Sequence, residues 1–376
     1  MSKDLIDSYR EVLGKVEGLQ RGFTTGTAVQ GAAKAAALML LSKKKISEID
    51  IELKNKKILT LPVVNASFSM DSAECGIIKD SGDDEDDITH GHEFRAKVII
   101  IDTKEIVITA GEGIGRVTKE GLPVKIGEWA INHNPRNMIK KSLIPLMPER
   151  GGFKVELSVP DGVQLASETW NPRLGIVGGI SILGTSGIVE PKSSKAYTAS
   201  IAISLHVARV EDSSVIFLVF GYVGEAFVKK HYKAGDERII KFGDHAGFTL
   251  KTAGRMGFEK IILVGHIGKM SKLASGIFNT HSKYGDARLE TLAAYAGASG
   301  LAPEKIKLLL KMKMAERGAS FLVEEGALAA FELLNDSIIE RSLYLIKKPV
   351  TLNSVILNLR GDILSDSTGY GGSEDE

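Results

Sequence analysis

Four glycines lie among isoleucines in the stretch GGISILGTSGIVEP, which runs from 178 to 191. Glycine has no side chain, so the backbone N–H groups beside it can approach a ligand closely, at a cost in conformational entropy. Thr185 and Ser186 add hydroxyl groups, and Glu190 adds a carboxylate. The stretch therefore predicts a floor on which a flat ligand or a cofactor rests. The alternative is a glycine-softened crossing between two domains.

Two further glycine loops invite comparison with nucleotide-binding motifs. AGEGIGR (110–116) follows a predicted strand, but the sequence after it contains Gly121 and a proline and cannot form the helix that such loops open. GHIGKMS (265–271) matches a phosphate loop only in part, because that motif requires glycine in place of Leu263 and a hydroxyl in place of Met270. It does follow the apolar strand KIILV, and open α/β sheets bind ligands at that position.

His266 ends this strand and is the predicted catalytic residue. An imidazole pKa of about 6.5 suits proton removal near neutrality, and parallel sheets place reacting groups where strands end. Asp244 and Glu190 are the next candidates for the base. A helix from about 269 to 278 would span roughly 15 Å and would separate His281 from His266, so one imidazole is expected nearer the chemistry and His281 is assigned to a ligand group or to helix carbonyls. The alternative is that the backbone satisfies His266 inside the core.

The acidic run DSGDDEDD (80–87) offers carboxylates to a hard cation, but it lacks the central glycine and final glutamate of a calcium loop. Its composition favours a solvated acidic face. Cys75 is the single cysteine, which excludes a disulfide within the chain and a thiolate cage. The histidines form no HxxxH pair. The sequence therefore predicts no metal bound by the protein.

Composition limits the class of protein. A chain of 376 residues exceeds one ordinary core, so two domains are expected. No run approaches the roughly 18 apolar residues of a membrane span, and 48 basic against 47 acidic side chains give no field that attracts nucleic acid or a membrane. The first residues lack the apolar core of a signal peptide, so the cytoplasm is expected. A homo-oligomer is compatible with the sequence.

Hydrophobic patterning predicts two different halves. An alanine-rich helix over 27–41 and several β-branched strands indicate an N-terminal α+β domain over 1–160. Uniformly apolar strands such as 260–266 then alternate with helices such as 194–210, which is typical of a mostly parallel sheet. The sequence thus predicts a Rossmann-like α/β domain over 161–366, followed by a disordered tail over 367–376.

Seven segments together resemble one family, the CbiD cobalt-precorrin-5B C1-methyltransferases of anaerobic cobalamin (vitamin B12) biosynthesis. The segments are RGFTTGTA (21–28), KDSGDDEDDITHG (79–91), GEGIGRVTKEGLPVKIGEWAIN (111–132), NPRLGIVGGISILGTSGIVEP (171–191), FGYVGE (220–225), KFGDHAGF (241–248) and VGHIGKMSKLASGIFNTHS (264–282). The resemblance implies methyl transfer from S-adenosylmethionine to C-1 of a corrinoid tetrapyrrole, giving cobalt-precorrin-6A. It also implies that the cobalt belongs to the substrate.

That chemistry, once implied, assigns roles to particular residues. The cofactor needs a carboxylate for its ribose and bare amides for its methionyl end; the candidates are Gly178, Gly179, Gly184, Thr185, Ser186, Gly187, Glu190 and Glu225. The carboxylate arms of the substrate need basic and polar groups; the candidates are Thr24, Thr25, Arg116, Arg136, Arg173, Lys269, Lys272, His281 and Arg288. His266 and Asp244 remain the catalytic candidates. Two other functions stay open: a pyridine-nucleotide-dependent reductase of the ring and a non-catalytic tetrapyrrole carrier.

Overall fold

The structure is a computed structural model and describes residues 3–211 and 213–369. The chain divides into two compact units, residues 1–193 (unit 1) and 194–376 (unit 2). The sequence led us to expect the division near residue 160. It falls later because the segment after 160 adds two short strands that pair with strands of unit 1.

Unit 1 contains a mixed sheet and a central helix. Its helices are α1 (Lys3–Leu13), α2 (Thr25–Ser42), α3 (His133–Leu143) and α4 (Gly162–Ala166), with a 3-10 turn at Ile144–Leu146. Its strands are β1 (Lys15–Val16), β2 (Leu19–Gln20), β3 (Gly22–Phe23), β4 (Glu48–Glu52), β5 (Ile58–Pro62), β6 (Val64–Phe68), β7 (Ser72–Ile78), β8 (Glu93–Ile101), β9 (Ile106–Ala110), β10 (Arg116–Val117), β11 (Gly152–Ser158), β12 (Ile176–Val177) and β13 (Ile188–Val189).

The core of unit 1 lies between α2 and the sheet ordered β6-β7-β8-β11-β9, in which β11 and β9 are parallel and the other pairs antiparallel. Small side chains such as Ala28, Ala32 and Ala36 are fully buried, so α2 can lie close to β7 and β8. Alternate residues of β8, including Phe94 and Val98, fill the other side of this core.

Unit 2 is an α/β unit. Its helices are α5 (Ser194–Val210), α6 (Gly221–Tyr232), α7 (Ala246–Met256), α8 (Ile267–Ala274), α9 (Arg288–Ala298), α10 (Pro303–Leu310), α11 (Ala315–Glu324) and α12 (Ala329–Ile346), with 3-10 turns at Asp236–Arg238 and Ser282–Tyr284. Its strands are β14 (Val215–Val219), β15 (Ile239–Lys241), β16 (Lys260–His266), β17 (Thr351–Leu357) and β18 (Ile363–Asp366). The predicted helix over 194–210 and strand over 260–266 are confirmed residue by residue.

The sheet of unit 2 is ordered β15-β14-β16-β17-β18, and only its last strand is antiparallel within the described residues. The strands are buried on both faces: Ile216 and Leu218 face the core that includes α5 and α7, whereas Phe217 and Val219 face the core that includes α6. The strand order reverses at β14, because β15 pairs with one side of this strand and β16 with the other. Ligands of open α/β sheets bind at the carboxyl ends of the strands beside such a point.

The described residues bear on two predictions, the absence of a membrane span and the disordered C-terminal tail. None of the described helices is long and apolar enough to cross a membrane. The predicted disordered tail, 367–376, lies mostly outside the described residues. Of its described part, Ser367 is hydrogen-bonded to Ser354 through both side chain and backbone.

Candidate active site

A polar pocket lies at the carboxyl edge of the sheet of unit 2; we call it the edge pocket. It encloses about 260 Å³ and combines cations, imidazoles, hydroxyls and one carboxylate. Its lining residues are Asp244, His266, Gly268, Lys269, Lys272, Thr280, His281, Ser282 and Arg288. The sequence had named six of these residues: His266, Asp244, Lys269, Lys272, His281 and Arg288. The structure brings all six together.

His266 is the last residue of β16 and the N-cap of α8. Its Nδ1 accepts a hydrogen bond from the Gly268 backbone N–H at 3.2 Å. Because an amide can only donate, neutral His266 carries its proton on Nε2. Burial, assisted by the Lys269 charge, lowers the pKa of His266, so the imidazole is neutral at pH 7.

A neutral Nε2–H offers the pocket a donor and no lone pair. This arrangement argues against the predicted role of His266 as a general base and matches the alternative in which the backbone satisfies the imidazole. No described residue accepts a hydrogen bond from Nε2 of His266, so that proton is available to a ligand.

His281 reaches the same pocket by a path that the sequence did not predict. The helix α8 ends at Ala274 and does not continue to 278. Gly276 follows in the left-handed region at φ +85°, which only glycine adopts without strain, and the chain turns back. His281 then caps the 3-10 turn, and its Nδ1 accepts from the Lys283 N–H at 3.2 Å. The predicted helix over 269–278 was therefore wrong at its C-terminal end, and both imidazoles line the same pocket.

Asp244 follows β15 and is fixed from one side only. Its Oδ1 accepts from Lys269 Nζ at 2.5 Å and from Thr280 Oγ1 at 2.6 Å. Although burial opposes it, these two hydrogen bonds lower the pKa of Asp244, so the carboxylate is ionised at neutral pH. Within the described part of the chain, Oδ2 of Asp244 has no hydrogen-bond partner.

Lys272 and Arg288 complete the positive side of the pocket. Lys272 is 4% exposed, and its Nζ donates to the carbonyls of Thr280 at 3.0 Å and Gly285 at 2.9 Å. Burial lowers the pKa of Lys272. Arg288 donates through Nε and Nη2 to Asp286, both at 2.6 Å. Each cation therefore keeps at least one N–H group that these hydrogen bonds do not use.

Three lining residues were missing from the predicted site. Thr280, Ser282 and Gly268 lie within the segment 264–282 that carries the family resemblance, so the segment itself was the available signal. Arg288, which the sequence had named, lies just beyond this segment, and the return of the chain after α8 brings it to the pocket.

The predicted cofactor floor over 178–190 lies in unit 1, and most of its glycines contact protein. A Cβ on Gly184 would lie 2.3 Å from Thr24 Oγ1, and a Cβ on Gly179 would lie 2.3 Å from the Gly113 carbonyl. The carbonyl of Gly187 accepts from Thr27 Oγ1 at 2.8 Å. These glycines allow neighbouring backbone segments to approach each other, and the space above them is filled.

The polar members of this stretch are not arranged around a cavity either. Glu190 is ion-paired with Arg21 at 3.0 Å. Ser186 bonds the backbone of Ile188, two residues away. Thr185 and Gly178 are exposed, and no side chain or backbone lies within 4 Å of a Cβ built on Gly178. The geometry gives no support to a cofactor site over 178–190.

Glu225, the other candidate for the ribose, is buried in unit 2 beside two lysines. Its carboxylate oxygens lie 3.2 Å from Lys229 Nζ and 3.0 Å from Lys241 Nζ. Two ammonium groups therefore already compensate the buried charge of Glu225. A ribose hydroxyl would have to displace them to reach the carboxylate.

Thr24 and Thr25 act within unit 1 as parts of the start of α2. Thr24 is the N-cap of α2, and its Oγ1 accepts from the Thr27 N–H at 3.2 Å. Thr25 Oγ1 donates to the Leu183 carbonyl at 3.0 Å and accepts from the Leu183 N–H at 2.9 Å. Both side chains are buried and hydrogen-bonded within the protein, which argues against substrate contact.

Three of the arginines predicted for the substrate, Arg116, Arg136 and Arg173, lie in unit 1, whereas the edge pocket is lined by residues of unit 2. The guanidinium of Arg116 stacks 4.0 Å above the Trp129 ring, and its Nη1 donates to a backbone carbonyl. Arg136 donates through Nε to the Ile131 carbonyl at 2.9 Å. Arg173 is half-buried between 171 and 175.

The acidic run is not a plain solvated face. Lys79, which is fully buried, donates to Asp87 Oδ2 and to Ser81 Oγ, each at 2.5 Å. Asp80 accepts from Tyr9 at 2.9 Å and from Arg10 at 2.7 Å. The run therefore holds cationic partners supplied by the protein. In the described residues no group of three or more metal-ligating side chains is placed to hold a metal ion.

A more open depression of about 600 Å³ lies in unit 1. Asp4 and Glu48 contribute to its lining, together with apolar residues such as Val63. This acidic lining would repel a ligand that carries carboxylates. The edge pocket is therefore the candidate active site.

The fold and this pocket define a mixed α/β protein with a candidate site, lined by polar residues, at the carboxyl edge of a mostly parallel sheet. A model of the CbiD family matches residues 13–191, and a model of the CbiD C-terminal domain matches residues 279–368. The chain belongs to the CbiD family.

Its relatives match along nearly the whole chain. A cobalt-precorrin-5B C(1)-methyltransferase from Alkaliphilus metalliredigens is 36% identical over 362 residues, 96% of each chain. A protein of the same name from Clostridium perfringens is 41% identical over 90% of each chain. Another from Methanocaldococcus jannaschii is 39% identical over 91% of this chain and 95% of that one. A 1.9 Å crystal structure of the cobalamin biosynthesis protein (cbiD) from Archaeoglobus fulgidus is 30% identical, with a TM-score of 0.38, and the match covers 72% of this chain and 84% of that one.

Proposed function

We propose that the protein is an S-adenosylmethionine-dependent methyltransferase that methylates C-1 of cobalt-precorrin-5B and gives cobalt-precorrin-6A. The observation that carries the proposal is the similarity, over at least 90% of the chain, to relatives that bear this name. The edge pocket supplies a place for polar and charged ligand groups in unit 2. No comparable observation favours the reductase or the carrier.

When bound, S-adenosylmethionine would supply a sulfonium methyl group to the nucleophilic ring carbon and leave as S-adenosylhomocysteine, and one proton would leave the substrate as the new chromophore forms. The protein contributes mainly by position, because holding two reactants in near-attack geometry is worth roughly 7–11 kcal/mol. His266 and His281 each present an Nε2–H donor, because their Nδ1 atoms accept backbone N–H groups, and Lys269 donates to the Asp244 carboxylate. These groups can orient a ligand without forming a covalent bond to it.

We also propose that unit 2 is a Rossmann-like domain. Numbered along the unit, its strands run in the order 2-1-3-4-5, which is a common doubly wound order. Helices cover both faces of the sheet. In such sheets the cofactor lies beside the carboxyl ends of the first and third strands, which here are β14 and β16. We further propose that the protein acts in the cytoplasm and that its partner is a tetrapyrrole substrate.

The test is anaerobic incubation of the protein with cobalt-precorrin-5B and methyl-¹³C S-adenosylmethionine. The proposal predicts one labelled methyl group on C-1, located by NMR of the product. A label on another carbon, or no label, would contradict it. Calorimetry with NADPH separates the reductase, since binding of NADPH without S-adenosylhomocysteine binding would favour that alternative.

A further inference from the structure

We propose that the edge pocket binds the amino-acid end of the methyl donor, with Asp244 receiving its α-ammonium group and the imidazoles and lysines receiving its α-carboxylate. This inference rests on the proposed function and deepens it. It replaces the expectation that Lys269, Lys272 and His281 bind carboxylate arms of the tetrapyrrole and that the cofactor lies over 178–190.

The acceptor side of the pocket is Asp244. Lys269 and Thr280 both bind its Oδ1, so the carboxylate is held in place while Oδ2 stays unpaired among the described residues. The side chain is 28% exposed, which leaves Oδ2 open to a ligand. An ionised carboxylate oxygen fixed in this way is suited to an ammonium group.

The donor side consists of groups whose direction of hydrogen bonding is settled. The Nδ1 atoms of His266 and His281 each accept a backbone N–H, so both neutral imidazoles carry their proton on Nε2. Lys272 uses two of its three N–H groups on carbonyls and has no carboxylate within 4.0 Å in the described structure. A buried ammonium with only carbonyl partners favours an anionic ligand group nearby.

Charge and size together select a zwitterion. A ligand group that is only a carboxylate would satisfy the donors but would meet the ionised oxygen Oδ2 of Asp244, which has no hydrogen-bond partner among the described residues. A group that carries both an ammonium and a carboxylate satisfies both sides. The volume of about 260 Å³ lies below the range of roughly 300–1,000 Å³ that encloses whole drug-sized ligands, so the pocket accommodates one end of a ligand.

The test compares two ligands that share an adenosine. S-Adenosylhomocysteine has the amino-acid end, and methylthioadenosine lacks it. Calorimetry should show that Asp244→Asn weakens S-adenosylhomocysteine binding about 10-fold to 100-fold, the usual worth of a hydrogen bond to a charged group, and leaves methylthioadenosine binding unchanged. Asp236→Asn is the matched control, because Asp236 also pairs with a lysine, at 2.7 Å, outside the pocket. It should bind both ligands as the wild type does.

The ratio of the two affinities in one protein stays interpretable even if Asp244→Asn is less stable. Unchanged binding of S-adenosylhomocysteine to this variant, or an equal loss for both ligands, would overturn the assignment of the pocket. The anaerobic methylation assay on the wild type tests the proposed function separately. If the wild type transfers the methyl group but Asp244→Asn binds S-adenosylhomocysteine as the wild type does, the proposed function stands and the assignment of the pocket is refuted.

Discussion

Replacing Gly179 with alanine should destabilise unit 1 strongly, because a Cβ there would lie 2.3 Å from the Gly113 carbonyl carbon and 2.6 Å from the Ile114 nitrogen. Both are backbone atoms, and the same backbone forms the Ile180 N–H to Gly113 carbonyl hydrogen bond at 3.0 Å, so neither can move aside cheaply. Overpacking costs about 1–3 kcal/mol where side chains can adjust, so we expect a loss of about 3 kcal/mol or more.

Gly178 is the matched control one residue earlier. It has φ +85° and open space around its Cβ position, so alanine there should cost only the left-handed conformation, about 1 kcal/mol. For a unit of this size, 1 kcal/mol shifts Tm by about 2–4 °C, so Gly179→Ala should melt about 6–12 °C lower and Gly178→Ala about 2–4 °C lower.

Differential scanning calorimetry measures the two shifts, and calorimetric titration with S-adenosylhomocysteine measures binding in each folded variant. We expect binding to be unchanged in both. A Gly179→Ala protein that melts like the wild type but binds S-adenosylhomocysteine weakly would refute the packing argument and restore the cofactor floor over 178–190.

Three further predictions concern single side chains. His266→Ala removes the N-cap of α8 and should cost about 1 kcal/mol by urea unfolding, whereas His266→Asn keeps a cap acceptor and should cost less; equal losses would contradict the capping role. Burial lowers the pKa of His266, so protonation of this residue favours the unfolded state. The free energy of unfolding should therefore fall as pH drops below about 6.5, and the fall between pH 7.5 and 5.5 should be smaller in His266→Asn. Parallel pH profiles of the two proteins would contradict this prediction. Lys79→Met leaves the half-buried Asp87 without its ammonium partner and should cost about 3 kcal/mol by urea unfolding, the lower end for breaking a buried pair; a loss below about 1 kcal/mol would show that the pair contributes little.

The elements of unit 2 could be predicted because their signals are local. Apolar strands between helices gave the strand over 260–266 and the helix over 194–210 with their observed bounds. His266 could be placed at the carboxyl edge by the same reasoning. Its tautomer could not, since that depends on the Gly268 N–H of the following turn.

The role of the glycines over 178–190 could not be predicted because their partners are distant in sequence. Gly184 contacts Thr24, and Gly179 contacts Gly113. Sequence patterning shows that backbone must come close to something, but it does not show whether that is a ligand or another segment of the chain. The same limit applies to His281, whose position depends on a turn at Gly276 and not on helical spacing.

The most direct test of the account is a crystal structure of the protein with S-adenosylhomocysteine. We predict that the homocysteine end lies in the edge pocket, with its α-amino nitrogen within hydrogen-bond distance of Asp244 Oδ2 and its carboxylate beside His266, His281 and Lys272. A ligand whose amino-acid end lies along 178–190, or anywhere outside the edge pocket, would contradict the account.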